Sequence, residues 1–141
     1  MQAHLSGWPT KMLPNFLTLA EVLEFHEDLL ASFGGRPGIR DLALLESAVA
    51  MPQSGSGKVF FHKFPFEMAA AYAYHIAQNH AFIDGNKRTG LTAALVFLEI
   101  NGHPVMGGED ELEAATRELA SGNMDKNGFA MVLERLFQTT Q

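Results

Sequence analysis

Along residues 18–33, "TLAEVLEFHEDLLASF", Leu19, Val22, Leu23, His26, Leu29, Leu30 and Phe33 fall on one face of a helix. Thr18 and Glu21 stand at capping-box spacing ahead of it, and Gly34-Gly35 supply a left-handed stop. A second helix is expected from about Asp41, an aspartate N-cap, to Met51, just before Pro52. A third has Pro65 in its first turn and runs to about Asn79. A fourth runs from about Lys87 to Asn101 and is stopped by Gly102. Its stretch "GLTAALVFLEI" is apolar almost all round, which predicts the buried centre of the molecule. Two more helices are expected over 109–121 and 128–138. Between the second and third, "QSGSGKVFFHKF" (53–64) passes from flexible residues to aromatics and a β-branched valine, the pattern of a short hairpin or flap. The elements predict an all-α fold: a single compact domain over 17–141 with one flap or β-hairpin insertion. Residues 1–16, with Pro9 and Pro14, are expected to form an irregular arm.

A chain of 141 residues is the length of one ordinary domain, and 47% hydrophobic with 18% charged residues describes a compact globule. With no cysteine, disulfides, thiolate metal sites and cysteine nucleophiles are excluded. A net charge of −6 argues against a broad footprint for nucleic acid, so no direct nucleic-acid partner is expected. The adjacent Lys87 and Arg88 form a local basic spot within that acidic whole. The start, "MQAHLSGWPTKMLPNF", lacks the basic flank and unbroken apolar core of a signal peptide. No run approaches the roughly 20 apolar residues of a membrane span. The expectation is a cytoplasmic protein without a membrane partner.

The third and fourth helices are separated by "HAFIDGNKRTG", residues 80–90, which places four ionisable groups where a turn needs none. Amides at a helix start are unpaired and partly positive, so the place suits anions. Gly85 permits a bend that aims successive amides at one point, and Asn86 tolerates the same backbone region. Lys87 and Arg88 add full charges where phosphates would sit, the arginine being able to bind two oxygens at once. An acid beside phosphates requires a mediating cation, so Asp84 suggests magnesium. Histidine is the residue type that most naturally serves as base for a hydroxyl nucleophile, which points to His80, and Phe82 belongs to the core. Taken together the parts suit phosphoryl or nucleotidyl transfer. Taken singly, His80 and Asp84 read as cap or turn residues, and Lys87 and Arg88 as a solvated face.

Other stretches carry less. "SGSGK" (54–58) has Pro52 where a phosphate loop needs its first glycine and Val59 in place of Ser/Thr. Asn123 to Glu134 fits part of a calcium-loop spacing, but Met131 occupies a ligand position, and capping of the last helix accounts for it better. His4, His26, His62, His75 and His103 form no zinc spacing.

"HAFIDGNKRTG" resembles the signature of the Fic family, His-x-Phe-x-Asp/Glu-Gly-Asn-Gly/Lys-Arg, with His80, Phe82, Asp84, Gly85, Asn86, Lys87 and Arg88 matching in order. The lysine at 87 resembles the Doc (death-on-curing) branch, as does the stretch "LTLAEVLEFHEDLLASFGGRPGIRDLALLESAVAMPQ", so the likeness covers about 17–138. The resemblance implies a Fic-type helical domain whose loop binds a nucleotide's phosphates, with ATP the expected nucleoside triphosphate. It implies His80 as general base, Asp84 as magnesium ligand, Gly85 and Asn86 as shapers of the anion nest, and Lys87 and Arg88 as phosphate ligands. The segment 53–64 would be the flap that docks a target by backbone pairing. Leu91 stands where AMP-transferring members carry a second arginine, and Lys87 where many carry glycine. The branch therefore implies a toxin that phosphorylates a target protein's hydroxyl, in translation, such as on an elongation factor. AMP transfer is the alternative of like chemistry, and a non-catalytic nucleotide- or partner-binding module the alternative from another class. No Ser/Thr-x-x-x-Glu-Gly/Asn self-inhibitory segment occurs in the sequence, which is consistent with a separate small antitoxin.

Overall fold

The computed structural model describes residues 13–140, so the first twelve residues of the expected arm, His4 among them, lie outside the described residues. Among the described residues six α-helices follow one another: α1 (Leu19–Phe33), α2 (Leu42–Ala50), α3 (Phe66–Asn79), α4 (Asn86–Ile100), α5 (Glu109–Ser121) and α6 (Lys126–Thr140). A 3-10 turn, Met51–Gln53, extends α2, and the two short strands β1 (Gly55–Ser56) and β2 (Val59–Phe60) make one antiparallel hairpin. The fold is all-α, with the hairpin as its one insertion among the described residues. No helix of the described residues is long and apolar enough to cross a membrane.

The caps act as their residue types dictate. Thr18 and Glu21 satisfy each other's backbone amides at 3.1 and 2.8 Å. The Asp41 carboxylate accepts from the Leu44 amide at 3.1 Å and starts α2. Asp125 accepts from the Gly128 amide at 2.7 Å, so the calcium-like spacing is a helix cap. Gly57 and Lys58 of "SGSGK" form the tip of the hairpin rather than a phosphate loop.

The centre of the molecule is α3 rather than α4. Met68 to Ala73 are buried without interruption, and α3 packs on α2, α4, α5 and α6. Its alanines at 69, 70, 71, 73 and 77 are small enough for neighbours to close in on several sides. Leu91, Leu95 and Val96 of α4, by contrast, are only half-buried. At Gly90 the two helices approach closely, since a Cβ there would lie 2.8 Å from the Ala73 carbonyl oxygen. Residues 13–18 have no regular structure but are docked. Asn15 exchanges hydrogen bonds with Asn101 at 2.8 and 3.0 Å, and the Leu17 amide donates to the buried Tyr72 hydroxyl at 2.8 Å.

The hairpin is held at its base. Phe60 packs edge-on against Phe16 at 5.5 Å, and Phe16 stacks on Phe97 of α4. Val59 and Phe61 remain exposed. Just beyond, Lys126 at the start of α6 donates to Nε2 of both His62 and His75, each at 3.1 Å. This bond assignment puts the proton of His62 on Nδ1, which is buried without a partner. Burial, and then the Lys126 charge, lower the pKa of both imidazoles, that of His75 to about 4, while the Glu67 charge opposes the shift at His62. Burial also lowers the pKa of the Lys126 ammonium.

Candidate active site

The last turn of α3 is tied down before the chain leaves it. Gln78 donates to the Ala120 carbonyl of α5 at 3.0 Å, and Asn79 to the Leu44 carbonyl of α2 at 3.0 Å. His80 follows as C-cap in the left-handed conformation (φ 49°, ψ 42°), the one non-glycine residue with positive φ among the described residues. Its side chain is exposed.

The chain then enters the core and comes back out. Residues 38–41 run alongside it as a strap. The Arg40 and Asp41 amides donate to the Ala81 carbonyl at 2.6 and 3.1 Å, and the Ile83 amide to the Gly38 carbonyl at 3.0 Å. Phe82 is fully buried as expected, with the buried His26 ring stacked on it at 3.7 Å and 9°. His26 Nε2 donates to the Asp84 carbonyl at 2.8 Å, so α1 holds the loop from below.

Asn86 closes the loop with both ends of its amide. Oδ1 accepts from the Phe82 amide and Nδ2 donates to the Phe82 carbonyl, each at 3.0 Å. It is Gly85 that takes the left-handed conformation (φ 83°, ψ 17°), while Asn86 is already the first residue of α4. No side chain caps this helix start, and the Thr89 amide is the first to bond back, to the Gly85 carbonyl at 3.0 Å. The amides of Asn86, Lys87 and Arg88 therefore lie ahead of the helical ladder, the arrangement that receives anions.

The exposed Asp84 carboxylate accepts from the Arg36 amide at 3.1 Å and the Gly85 amide at 2.9 Å. These two bonds hold its pKa below the usual carboxylate value, so it is ionised at neutral pH. Each carboxylate oxygen keeps a lone pair free. No cluster of three or more His, Cys, Asp or Glu able to hold a metal occurs among the described residues. The Asp84 carboxylate is the kind of ligand magnesium takes, since that ion is bound through one or two carboxylates together with substrate phosphates and water. Lys87 and Arg88 are exposed, and the Arg88 guanidinium lies 4.3 Å from the centre of the Phe33 ring.

Two clefts flank the loop. One, of about 480 Å³, brings His80, Asp84, Gly85, Asn86 and Lys87 together with Arg40 and Arg117. The other, of about 360 Å³, brings Asp84, Gly85, Asn86, Lys87 and Arg88 together with Leu91, Glu113, Thr116 and Arg117. Six of the seven residues expected from the sequence thus face one space or the other, and Phe82 supports them from the core. No residue of the flap lines either cleft. The strap and α5 were not expected at the site. Arg117 carried a faint signal, as the lone cation in the acidic stretch "EDELEAATRELAS".

Residues 16–98 match the model of the family described as "Fic/DOC family". The chain is 38% identical over 113 residues to "Toxin Doc" of Mycolicibacterium smegmatis (strain ATCC 700084 / mc(2)155), an alignment covering 76% of this chain and 87% of that protein. It is 32% identical over 123 residues to "Protein kinase doc" of Escherichia phage P1, covering 86% of this chain and 94% of that one.

Proposed function

The chain belongs to the Fic/DOC family, and from that premise we propose that it transfers the terminal phosphate of a nucleoside triphosphate, ATP by expectation, to a hydroxyl of a target protein. The observation that carries the reading is one cleft in which a histidine meets an uncapped, cation-flanked helix start. A site that only bound phosphates would need no base, which weighs against a purely binding module. The similarity to a protein named as a kinase and to one named as a toxin points the same way.

In this reading the target's oxygen attacks the terminal phosphorus. Its proton passes to the unprotonated nitrogen of His80, and the bond from that phosphorus to the bridging oxygen breaks, releasing the nucleoside diphosphate. The amides of Asn86, Lys87 and Arg88 and the side chains of Lys87 and Arg88 stabilise charge on the phosphate oxygens. Asp84 would hold magnesium, which when bound neutralises phosphate charge. Leu91 adds no cation to α4, which favours a terminal phosphate seated at the nest over the orientation AMP transfer requires. The protein acts in the cytoplasm on a component of translation, such as an elongation factor, with Val59 and Phe61 of the hairpin offered to the target and a separate small antitoxin as its inhibitor.

Incubation with a cell lysate and ATP labelled separately at the α- and γ-phosphates tests this. Label should arrive from the γ-position, and mass spectrometry of the modified protein should show one added phosphate. His80→Ala should lose roughly 100- to 10,000-fold in transfer with its fold intact. An AMP adduct would overturn the reaction type, and wild-type transfer by His80→Ala would overturn the mechanism.

A further inference from the structure

The two clefts share five lining residues: four belong to the motif loop and the fifth is Arg117 of α5. It lies beyond residues 16–98, the part of the chain that the family model matches. Resting on the reading that the loop binds a nucleotide, we propose that Arg117 is a phosphate-binding residue of the site. It holds the part of the polyphosphate chain remote from the nest and so selects nucleoside triphosphates over monophosphates.

Its position is fixed by the fold. The neighbouring Thr116 is buried, as is Leu119, and the Ala120 carbonyl accepts from Gln78, two residues before His80. The register of α5 against the motif loop is thereby set, and Arg117 forms the wall that faces the loop across both spaces. Its guanidinium makes no side-chain ion pair or hydrogen bond among the described residues. Arg88, by contrast, has one face on the Phe33 ring, leaving its edges for the nest.

The charges favour the same assignment. On the His80 side, Arg40, Lys87 and Arg117 stand against the single carboxylate of Asp84. On the Leu91 side, Lys87, Arg88 and Arg117 stand against Asp84 and Glu113. Cations thus outnumber acids in both spaces, in a chain of net charge −6. Beyond Lys87 and Arg88 the α4 wall of the second cleft carries only the uncharged Leu91, and Arg117 supplies a further cation to the same cleft from α5. A phosphate chain lying over the nest and passing from one cleft to the other would have the motif amides on one side and this guanidinium on the other. An exposed arginine in such a place contributes mainly to whichever ligand reaches it, so the length of the phosphate chain decides the effect.

Calorimetry with magnesium-ATP, magnesium-ADP and AMP on the wild type, Arg117→Gln, Arg117→Lys and Arg135→Gln tests the assignment. Arg135 pairs with Glu111 away from both clefts and controls for a change of net charge alone. Arg117→Gln should bind magnesium-ATP about 10-fold more weakly or worse and AMP almost unchanged. Arg117→Lys should recover part of the loss, and Arg135→Gln should match the wild type. Wild-type ATP affinity in Arg117→Gln, or an equal loss for ATP and AMP, would overturn the role given to Arg117 alone. Failure of the wild type to bind any of the three nucleotides would overturn the nucleotide reading of the loop itself.

Discussion

The Asn86 amide closes on the Phe82 backbone in both directions, Oδ1 accepting and one Nδ2 hydrogen donating. Its contribution is to hold the loop shut so that the amides after it point one way. Asn86→Ala removes two hydrogen bonds and leaves the Phe82 amide and carbonyl, part-buried, without those partners. It should destabilise the fold by about 1–3 kcal/mol in urea unfolding, and should weaken magnesium-ATP binding by loosening the loop. Asp84→Asn, whose amide keeps one acceptor oxygen, would not reproduce the folding loss to the same degree. The sequence reveals these residues because they are contiguous, and the signature order makes their chemistry legible. It does not reveal which of Gly85 and Asn86 takes the left-handed turn. Both residue types tolerate it, and the decision rests on where the Asn86 side chain finds partners.

At the scale of elements, capping was the most legible part of the chain. Thr18, Glu21 and Asp41 act through neighbours three residues away, so short-range pattern suffices. The central place of α3 was not legible, because an alanine-rich helix reads as less hydrophobic than "LTAALVFLEI" while admitting more neighbours. Nor was the join of hairpin, α3 and α6, since Lys126 stands 64 and 51 residues from the two histidines it contacts. That join carries a pH dependence. His75 takes its proton at about pH 4 in the folded chain and near 6.5 when unfolded. Between those values the unfolded chain binds more protons, so the stability from neutral His75 is complete above about pH 6.5 and is lost as the pH falls toward 4. His62, shifted the same way, adds to the slope. Lys126→Met removes a charge that lowers both imidazoles, so its urea midpoint should fall less than the wild type's between about pH 7 and about pH 5. Equal falls in the two proteins would show that the Lys126 charge does not contribute to the acid sensitivity.

Across the whole molecule, the candidate site draws on four separated parts of the chain: α1 beneath the loop, the strap beside it, the loop itself and α5 across the clefts. Only the loop could be read in one piece. His80 shows what the assembly imposes on the fold. A histidine in the left-handed region costs about 1 kcal/mol relative to glycine, and a domain of this size has only about 5–15 kcal/mol in hand. Under the proposed mechanism, folding and chemistry therefore pull position 80 in opposite directions. A library randomised at that codon and sorted only for protease resistance should enrich glycine and asparagine and deplete histidine. The same library sorted for transfer should return histidine almost alone. The inactive winners of the first sort should melt above the parent, so that at this one site the parent's histidine is recovered by selecting for work and discarded by selecting for endurance.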